Sequence, residues 1–495
     1  MKKIISLLLV LMMLLGLCAC GGGEGGKNYE GLQVGFARES ILPDQLGVQI
    51  AGGDAAARLS DGYIDEVAAT CIAIREGGET ILLYTIDFIT VDQHVYAAQA
   101  DIAAATGIAP ENIILNTTHT HNGVSIRSNW QGVDEYRTMY RAAAVTAAQN
   151  AIADLSPATM YYGSTMTENM VFVRHYLMND GTTYGNGHGS TESGYKEHLY
   201  PSDGELQVIK FARAAEDKKD VVLMNLGAHA TINSASNNAP NSISADWPYN
   251  ARSYVEYAVD EDGQPDTTQP TDYLCAVFEA AAGDQIPNSN MTDIDPYGNK
   301  YPEYGNKIGE YCMGVLEGEM TKAEGSGIQL KVHKYTAATM KEGIEDVQRL
   351  VQAKELVALS SQKGGYSHPD VSAKVAEYGF NNYLEASGLV SRANYPESYS
   401  MELHLMSIDG VSFIFAPYEM FGVTGREIKD NSPYDMTFVV TCSENSMGYH
   451  MGYLPHEYAC EEKFYEYSVT KFARGTAEDL AKTYVALLTE LKGAE

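Results

Sequence analysis

The stretch Ile113-Ile114-Leu115 runs through Asn116-Thr117-Thr118 into His119-Thr120-His121 and closes on Asn122-Gly123. An apolar strand therefore delivers a His-x-His pair to a glycine turn. Residues two apart in extended backbone share a face. Both imidazoles can then meet one metal ion, or one metal and its bound substrate, at a strand end. Imidazole suits zinc, and a zinc site needs further ligands from elsewhere in the chain. The same pair also fits two hydrogen-bonded histidines, so the rest of the sequence has to decide.

Around this strand the pattern alternates between periods of two and 3.6 residues. Strands are expected over 67–75, 80–88, 159–162, 205–211, 221–228 and 412–417, and helices over 94–105, 136–155 and 344–359. Thr476-Ala477-Glu478-Asp479 reads as a capping box opening a C-terminal helix. The alternation predicts α/β architecture: a mixed-sheet, layered, single catalytic domain over residues 31–495. Two stretches read as long loops, 179–198 and 285–307, and long loops often serve as lids or binding loops.

The N-terminus reads as an export leader. Lys2 and Lys3 precede an apolar run from Ile4 to Leu17, too short for a membrane span of roughly 20 residues. Leu17-Cys18-Ala19-Cys20 resembles a bacterial lipobox, so residues 1–19 are expected to be removed and Cys20 lipidated. Residues 20–30 would be a Gly-rich tether, and the protein would sit on the outer face of a bacterial membrane. Loss of Lys2 and Lys3 takes the formal charge from −31 to −33. So acidic a surface repels phosphate backbones and argues against nucleic-acid binding. The remaining five of the seven cysteines are widely spaced without a CxxC pair, which argues against a disulfide framework or a cysteine zinc cluster.

Other strand ends also carry polar groups, where sites of α/β proteins collect. These are Ala228-His229-Ala230, Ile243-Ser244-Ala245-Asp246 and Gly283-Asp284-Gln285-Ile286-Pro287. With them the chain resembles the neutral (non-lysosomal) ceramidases and their bacterial relatives. Val34-Gly35 through Leu42-Pro43 is similar to that family's opening Gly-x-x-x-x-Asp-Ile-Thr-Pro. Thr118 to Gly123 is similar to its Thr-His-Thr-His-Ser-Gly, and Pro417-Tyr418-Glu419 to its Pro-Gly-Glu. Gly452-Tyr453-Leu454-Pro455 and Tyr465-Glu466 follow in the same order, so the motifs span residues 34–466.

The resemblance implies a fold of the neutral ceramidase N-terminal type, without the family's C-terminal immunoglobulin-like domain. It implies Zn2+ held by His119, His229, Glu419 and Tyr453. It implies that His121 contacts the reacting carbonyl or the nucleophile, that Arg174 helps polarise the substrate, and that Tyr465 offers a substrate-facing hydroxyl. Tyr453 could instead donate to a developing oxyanion. Asp246 and Asp284 are expected to cap a helix or orient a ligand histidine. The implied activity is hydrolysis of an amide-linked acyl group on a ceramide-like or other N-acylated lipid by a zinc-activated water. Two departures bear on this. Ile286 stands where the family has a serine, and isoleucine can neither attack nor donate. Tyr418 replaces a glycine and is expected to crowd Glu419. A zinc hydrolase of another ester or amide, or a non-catalytic surface binding lipoprotein, remains open. The oligomeric state is not legible.

Overall fold

Strands covered on both faces read as nearly unbroken apolar runs, and the central strands of this chain do. The computed structural model describes residues 31–51, 58–185, 194–235, 239–291, 294–297, 300–325, 327–444 and 450–494. The expected leader and tether, 1–30, lie outside the described residues.

A nine-stranded sheet holds β1 (Gln33–Ser40), β2 (Ala68–Glu76), β3 (Glu79–Ile86), β4 (Ile113–Ile114), β5 (Ser156–Met166), β6 (Glu205–Arg213), β7 (Asp220–Leu226), β8 (Tyr273–Glu279) and β9 (Thr321–Lys322). Its order is β8-β7-β6-β5-β1-β2-β3-β4, with β9 paired to β5. The pairs β7–β8 and β3–β4 are parallel, and the other pairs are antiparallel. The second sheet runs β10 (Ile328–Ala338), β11 (Ser398–Ile408), β12 (Val411–Phe415), β13 (Met436–Val440). The sheet is therefore mixed, as the sequence predicts.

Period-two alternation divides these strands between different cores. Ile72, Ile74, Leu83, Phe211 and Leu223 of the first sheet face Met406, Ile408, Phe413, Phe415 and Phe438 of the second. The opposite face of the first sheet, with Ala69, Cys71, Ala73 and Tyr84, carries α1 (Ala98–Thr106) and the Ala-rich α2 (Val133–Ala153). Farther along that face, Val222, Cys275 and Val277 pack on α3 (Trp247–Glu256) and α4 (Glu303–Glu317). Between β10 and β11, α5 (Val347–Lys363), α6 (Pro369–Tyr378) and α7 (Tyr383–Asn394) enclose a small core of their own. The helix α8 (Gly422–Asn431) follows Glu419. The outer face of the second sheet packs Leu405, Ile414 and Val439 on Leu480, Tyr484 and Leu488 of α9 (Thr476–Lys492). The layers thus run helices, sheet, sheet, helix.

Three local expectations need correction. The helix expected over 94–105 divides at Ala97 into Gln93–Tyr96 and α1, with Asp92 capping the first piece. Thr476 is the first residue of α9 rather than its cap. Its hydroxyl donates to the Ala473 carbonyl at 2.6 Å, and Gly475 in the left-handed region (φ 82°) makes the turn. Neither long stretch is merely loop. Thr183–Gly185 and Tyr195–His198 pair with His175–Met178, Gln285–Ile286 pairs with Phe172–Val173, and α4 begins at Glu303. Short paired segments of this kind are set by partners distant in sequence, which local pattern does not reveal. Residues 186–193, 292–293 and 298–299 lie outside the described residues.

The two sheets are joined beside the strand ends. Asn116 bridges Ser443, and its amide donates to the Thr441 carbonyl at 2.5 Å. Glu444 accepts from the Leu115 N–H at 3.0 Å and from Gln99 at 3.1 Å. Replacing Asn116 by Leu should leave the buried Thr441 carbonyl unpaired and lower the unfolding free energy by about 1–3 kcal/mol. A urea midpoint that falls at unchanged slope is the expected result; an unchanged midpoint would show that apolar packing alone joins the sheets.

Candidate metal centre

Strand ends from both sheets deliver their side chains to one place. β4 leads to His119 and His121, β7 to His229, β8 to Gly283 and Asp284, and β12 to Glu419. Glu419 and Tyr453 lie opposite each other on a two-residue parallel pair, Glu419–Met420 with Tyr453–Leu454. Gly283 permits this convergence, because its N–H donates to the Met420 carbonyl at 2.7 Å. A Cβ there would lie 2.5 Å from the Glu419 carbonyl oxygen.

The hydrogen bonds of the two buried histidines settle which nitrogen faces inward. His119 Nδ1 lies 2.6 Å from the Ile89 carbonyl. His229 Nδ1 lies 2.7 Å from the Ala282 carbonyl and 3.0 Å from that of Gln285. A carbonyl only accepts, so Nδ1 carries the proton and Nε2 offers a lone pair in each neutral ring. Both Nε2 atoms stand 3.5 Å from Glu419 Oε2. His229 Nε2 and Glu419 Oε2 are buried with no hydrogen-bond partner among the described residues. Burial raises the Glu419 carboxyl pKa, yet the histidines beside it, His119 above all when it carries a second proton, outweigh burial and hold it well below the usual range. With both rings neutral, three acceptors face one another. Two ligands at about 2.0–2.1 Å from a four-coordinate metal lie roughly 3.4 Å apart, so the spacing fits a bound divalent cation.

The sequence-derived residues do not all stand in the same relation to this centre. His121 Nε2 is 3.4 Å from His119 Nε2, and His119, His121 and His229 form one group able to hold a metal. Tyr453 and Tyr465 line the adjoining cavity of about 550 Å³, together with His119, His121 and Glu419. Arg174 lies behind them, buried and outside that lining. Its Nε donates to Glu466 at 2.7 Å and its Nη2 to the Gly283 carbonyl at 2.9 Å. Its guanidinium sits 5.3 Å from the Tyr453 ring centre and 5.6 Å from that of Tyr465. Against the cost of burial, Arg174 and His175 keep the Glu466 carboxyl down at about 2. Burial, with Glu419 beside it, raises Tyr453 and keeps it a phenol.

The supporting residues act through the backbone. Asp246, itself at φ 62°, caps α3 and accepts from the Asn233 N–H at 2.7 Å, tying down the chain after His229. Asp284 accepts from the N–H of Gly422, the first residue of α8, at 2.7 Å and from Tyr458 at 3.0 Å. It orients no histidine of the centre directly. Ile286 is buried, pairs with Phe172 and is not among the cavity-lining residues. Tyr418 does not crowd Glu419: its hydroxyl turns away to that of Tyr484, 3.0 Å distant, in the core under α9.

Comparison with known proteins turns on this fold. No family model matches the sequence, and no curated protein matches it. Among solved structures, the neutral ceramidase of Pseudomonas aeruginosa is similar with a TM-score of 0.66 and 17% identity, covering 94% of this chain and 75% of that one. A ceramidase complexed with C2 is similar with a TM-score of 0.67 and 16% identity, covering 94% of this chain and 76% of that one. The fold is that of neutral ceramidase.

Against that ceramidase fold, several residues escaped the reading of sequence. Cys442 Sγ approaches His119 Nδ1 to 3.4 Å, and Glu279 joins His119 and Cys442 in a second buried group able to hold a metal. His119 (φ 58°) and Cys442 (φ 52°) both take the left-handed backbone region, which costs a non-glycine residue about 1–3 kcal/mol. His450 also lines the cavity, although no pattern around it marks it. Glu466 was visible only as the neighbour of Tyr465. Placing a methyl group at Gly283 should push Glu419 out of line. Gly283→Ala is therefore expected to weaken divalent-metal binding at least tenfold in equilibrium dialysis while the circular dichroism stays native; unchanged affinity would detach Glu419 from the centre.

Proposed function

We propose that this chain is a zinc-dependent hydrolase that cleaves an amide-linked acyl group from a ceramide-like or other N-acylated lipid. The observation that carries this reading is the trio of buried acceptors, His119 Nε2, His229 Nε2 and Glu419 Oε2, beside an open cavity. Nitrogen and carboxylate donors suit zinc, which when bound lowers the pKa of a water to roughly 7 and polarises a carbonyl. The neutral ceramidase fold supports the substrate class.

The remaining roles follow from position. His121, at the cavity wall next to His119, is placed to take the proton of the attacking water and return it to the leaving amine. Its spacing also allows it to be a ligand. Tyr453, held protonated, is placed to ligate or to donate to the oxygen on which charge develops. Arg174 positions Tyr453 and Tyr465 through their ring faces and is not placed to touch the substrate itself. In the overall reaction water adds hydroxyl to the acyl carbon and hydrogen to the departing nitrogen. With Ile286 buried elsewhere, no serine is needed. A lipid anchor at Cys20 would hold this site close to amphiphilic substrates.

The test compares two histidine variants in zinc content and turnover of a fluorogenic N-acyl-sphingosine. Wild type and His94→Ala should hold one zinc per chain and turn over alike, whereas His119→Ala should lose zinc and at least a hundredfold in kcat/KM. Equal activity in the two variants would remove the site assignment. Zinc without turnover of any acyl amide would reject the amidase reading and leave an ester hydrolase or a non-hydrolytic binding protein.

A further inference from the structure

One helix, α3, holds the segments of both buried histidines. Its first residue, Trp247, donates from the indole Nε1 to the carbonyl of Ala228, the residue before His229, at 3.1 Å. Asp246, which caps it, accepts from the N–H groups of Ile232 and Asn233 just after His229, at 3.2 and 2.7 Å. Farther along the helix, Arg252 reaches toward the other histidine. Its Nη1 donates to both carboxylate oxygens of Asp87, at 3.2 and 3.0 Å, and its Nη2 to the Glu66 carbonyl at 3.0 Å. Asp87 in turn accepts from the hydroxyl of Thr118, the residue before His119, at 3.1 Å, and from the Ala68 N–H at 2.8 Å. Shortly after Asp87 in the chain comes Ile89, whose carbonyl receives His119 Nδ1. Asp87 therefore holds both the backbone that carries His119 and the stretch that sets its ring.

Arg252 and Asp87 are buried, with 4% and 1% of their surface exposed, and neither lines the cavity. A buried ion pair gains little over apolar side chains of the same volume, and its best-attested use is to fix register. Register is what a metal centre demands, since ligand distances tolerate only about 0.2 Å. A second buried pair on the same helix does a different job. Glu256, the last residue of α3, accepts from Arg38 of β1 at 2.8 and 2.9 Å and from the Cys275 N–H of β8 at 2.7 Å. It ties the end of α3 to the sheet rather than to either histidine. We infer that Arg252 and Asp87 are positioning residues for the metal: acting through Thr118, they fix His119 Nε2 against His229 Nε2, with α3 as the strut between the two ligands. The inference rests on the zinc reading above and adds that metal affinity is set by a charge pair touching neither the metal nor the cavity.

Zinc affinity, read by competition with a chromogenic chelator and set beside the thermal unfolding midpoint of the metal-free protein, separates positioning from stability alone. Thr118→Val removes one hydroxyl and leaves Asp87 its ion pair, Asp87→Asn removes the charge, and Glu256→Gln breaks the comparison pair. The zinc dissociation constant should rise at least threefold in Thr118→Val and at least tenfold in Asp87→Asn. In Glu256→Gln it should stay within twofold of wild type although the unfolding midpoint falls. An unchanged constant in Thr118→Val overturns the inference, as does an equal loss of affinity in Glu256→Gln. Thr118→Val decides by itself if Asp87→Asn does not fold. Wild type that binds no zinc fails the metal reading separately, and nitrogen NMR of the imidazoles then decides the inference. The Nδ1-protonated tautomer of His119 giving way to a mixture in Thr118→Val upholds it; persistence of that tautomer rejects it.

Discussion

Two imidazole nitrogens, His119 Nε2 and His229 Nε2, each stand 3.5 Å from one carboxylate oxygen of Glu419, and the surrounding structure is arranged to keep them there. With both rings neutral their lone pairs repel the carboxylate, and a buried acceptor left unpaired costs about 1–3 kcal/mol. Carbonyls of Ile89, Ala282 and Gln285 fix the tautomers of the neutral rings, so both Nε2 lone pairs face Glu419 and a further proton or a cation is what relieves the conflict. His119 is held in a left-handed backbone conformation besides. A divalent cation would turn the lone-pair conflicts into bonds and offset the backbone cost.

The layering explains how one point can draw on so many segments. Two sheets packed face to face have strand ends at the same rim, and the Asn116–Ser443 bridge pins those ends together. His119, His229, Glu419 and Cys442 lie 5, 3, 4 and 2 residues past β4, β7, β12 and β13, respectively. Arg174 and Glu466 then form a buried pair under the two tyrosines. The pair shapes the cavity wall from behind, which accounts for a charged residue that has no access to the cavity.

Much of the fold was legible because β2, β3, β6 and β7 are apolar on both faces and α2 is long and Ala-rich. His119 and His229 were legible because each follows an apolar strand, whereas Glu419 and Tyr453 came only from the resemblance to the ceramidase motifs. What escaped detection depends on contacts between distant segments. Thr476 has the right neighbours for a capping box, but Gly475 makes the turn instead. Tyr418 replaces a glycine and was expected to crowd the carboxylate, but alternation along the strand sends it to the opposite side, toward Tyr484. Nothing near His450 in sequence marks it, since only the tertiary fold brings it to the cavity.

X-ray absorption at the zinc edge of the zinc-loaded protein tests the central claim most directly. The three facing acceptors predict a shell of nitrogen and oxygen alone at about 2.0–2.1 Å, with imidazole scattering from at least two rings. A sulfur scatterer at about 2.3 Å would contradict this account and move the metal to the group of His119, Glu279 and Cys442.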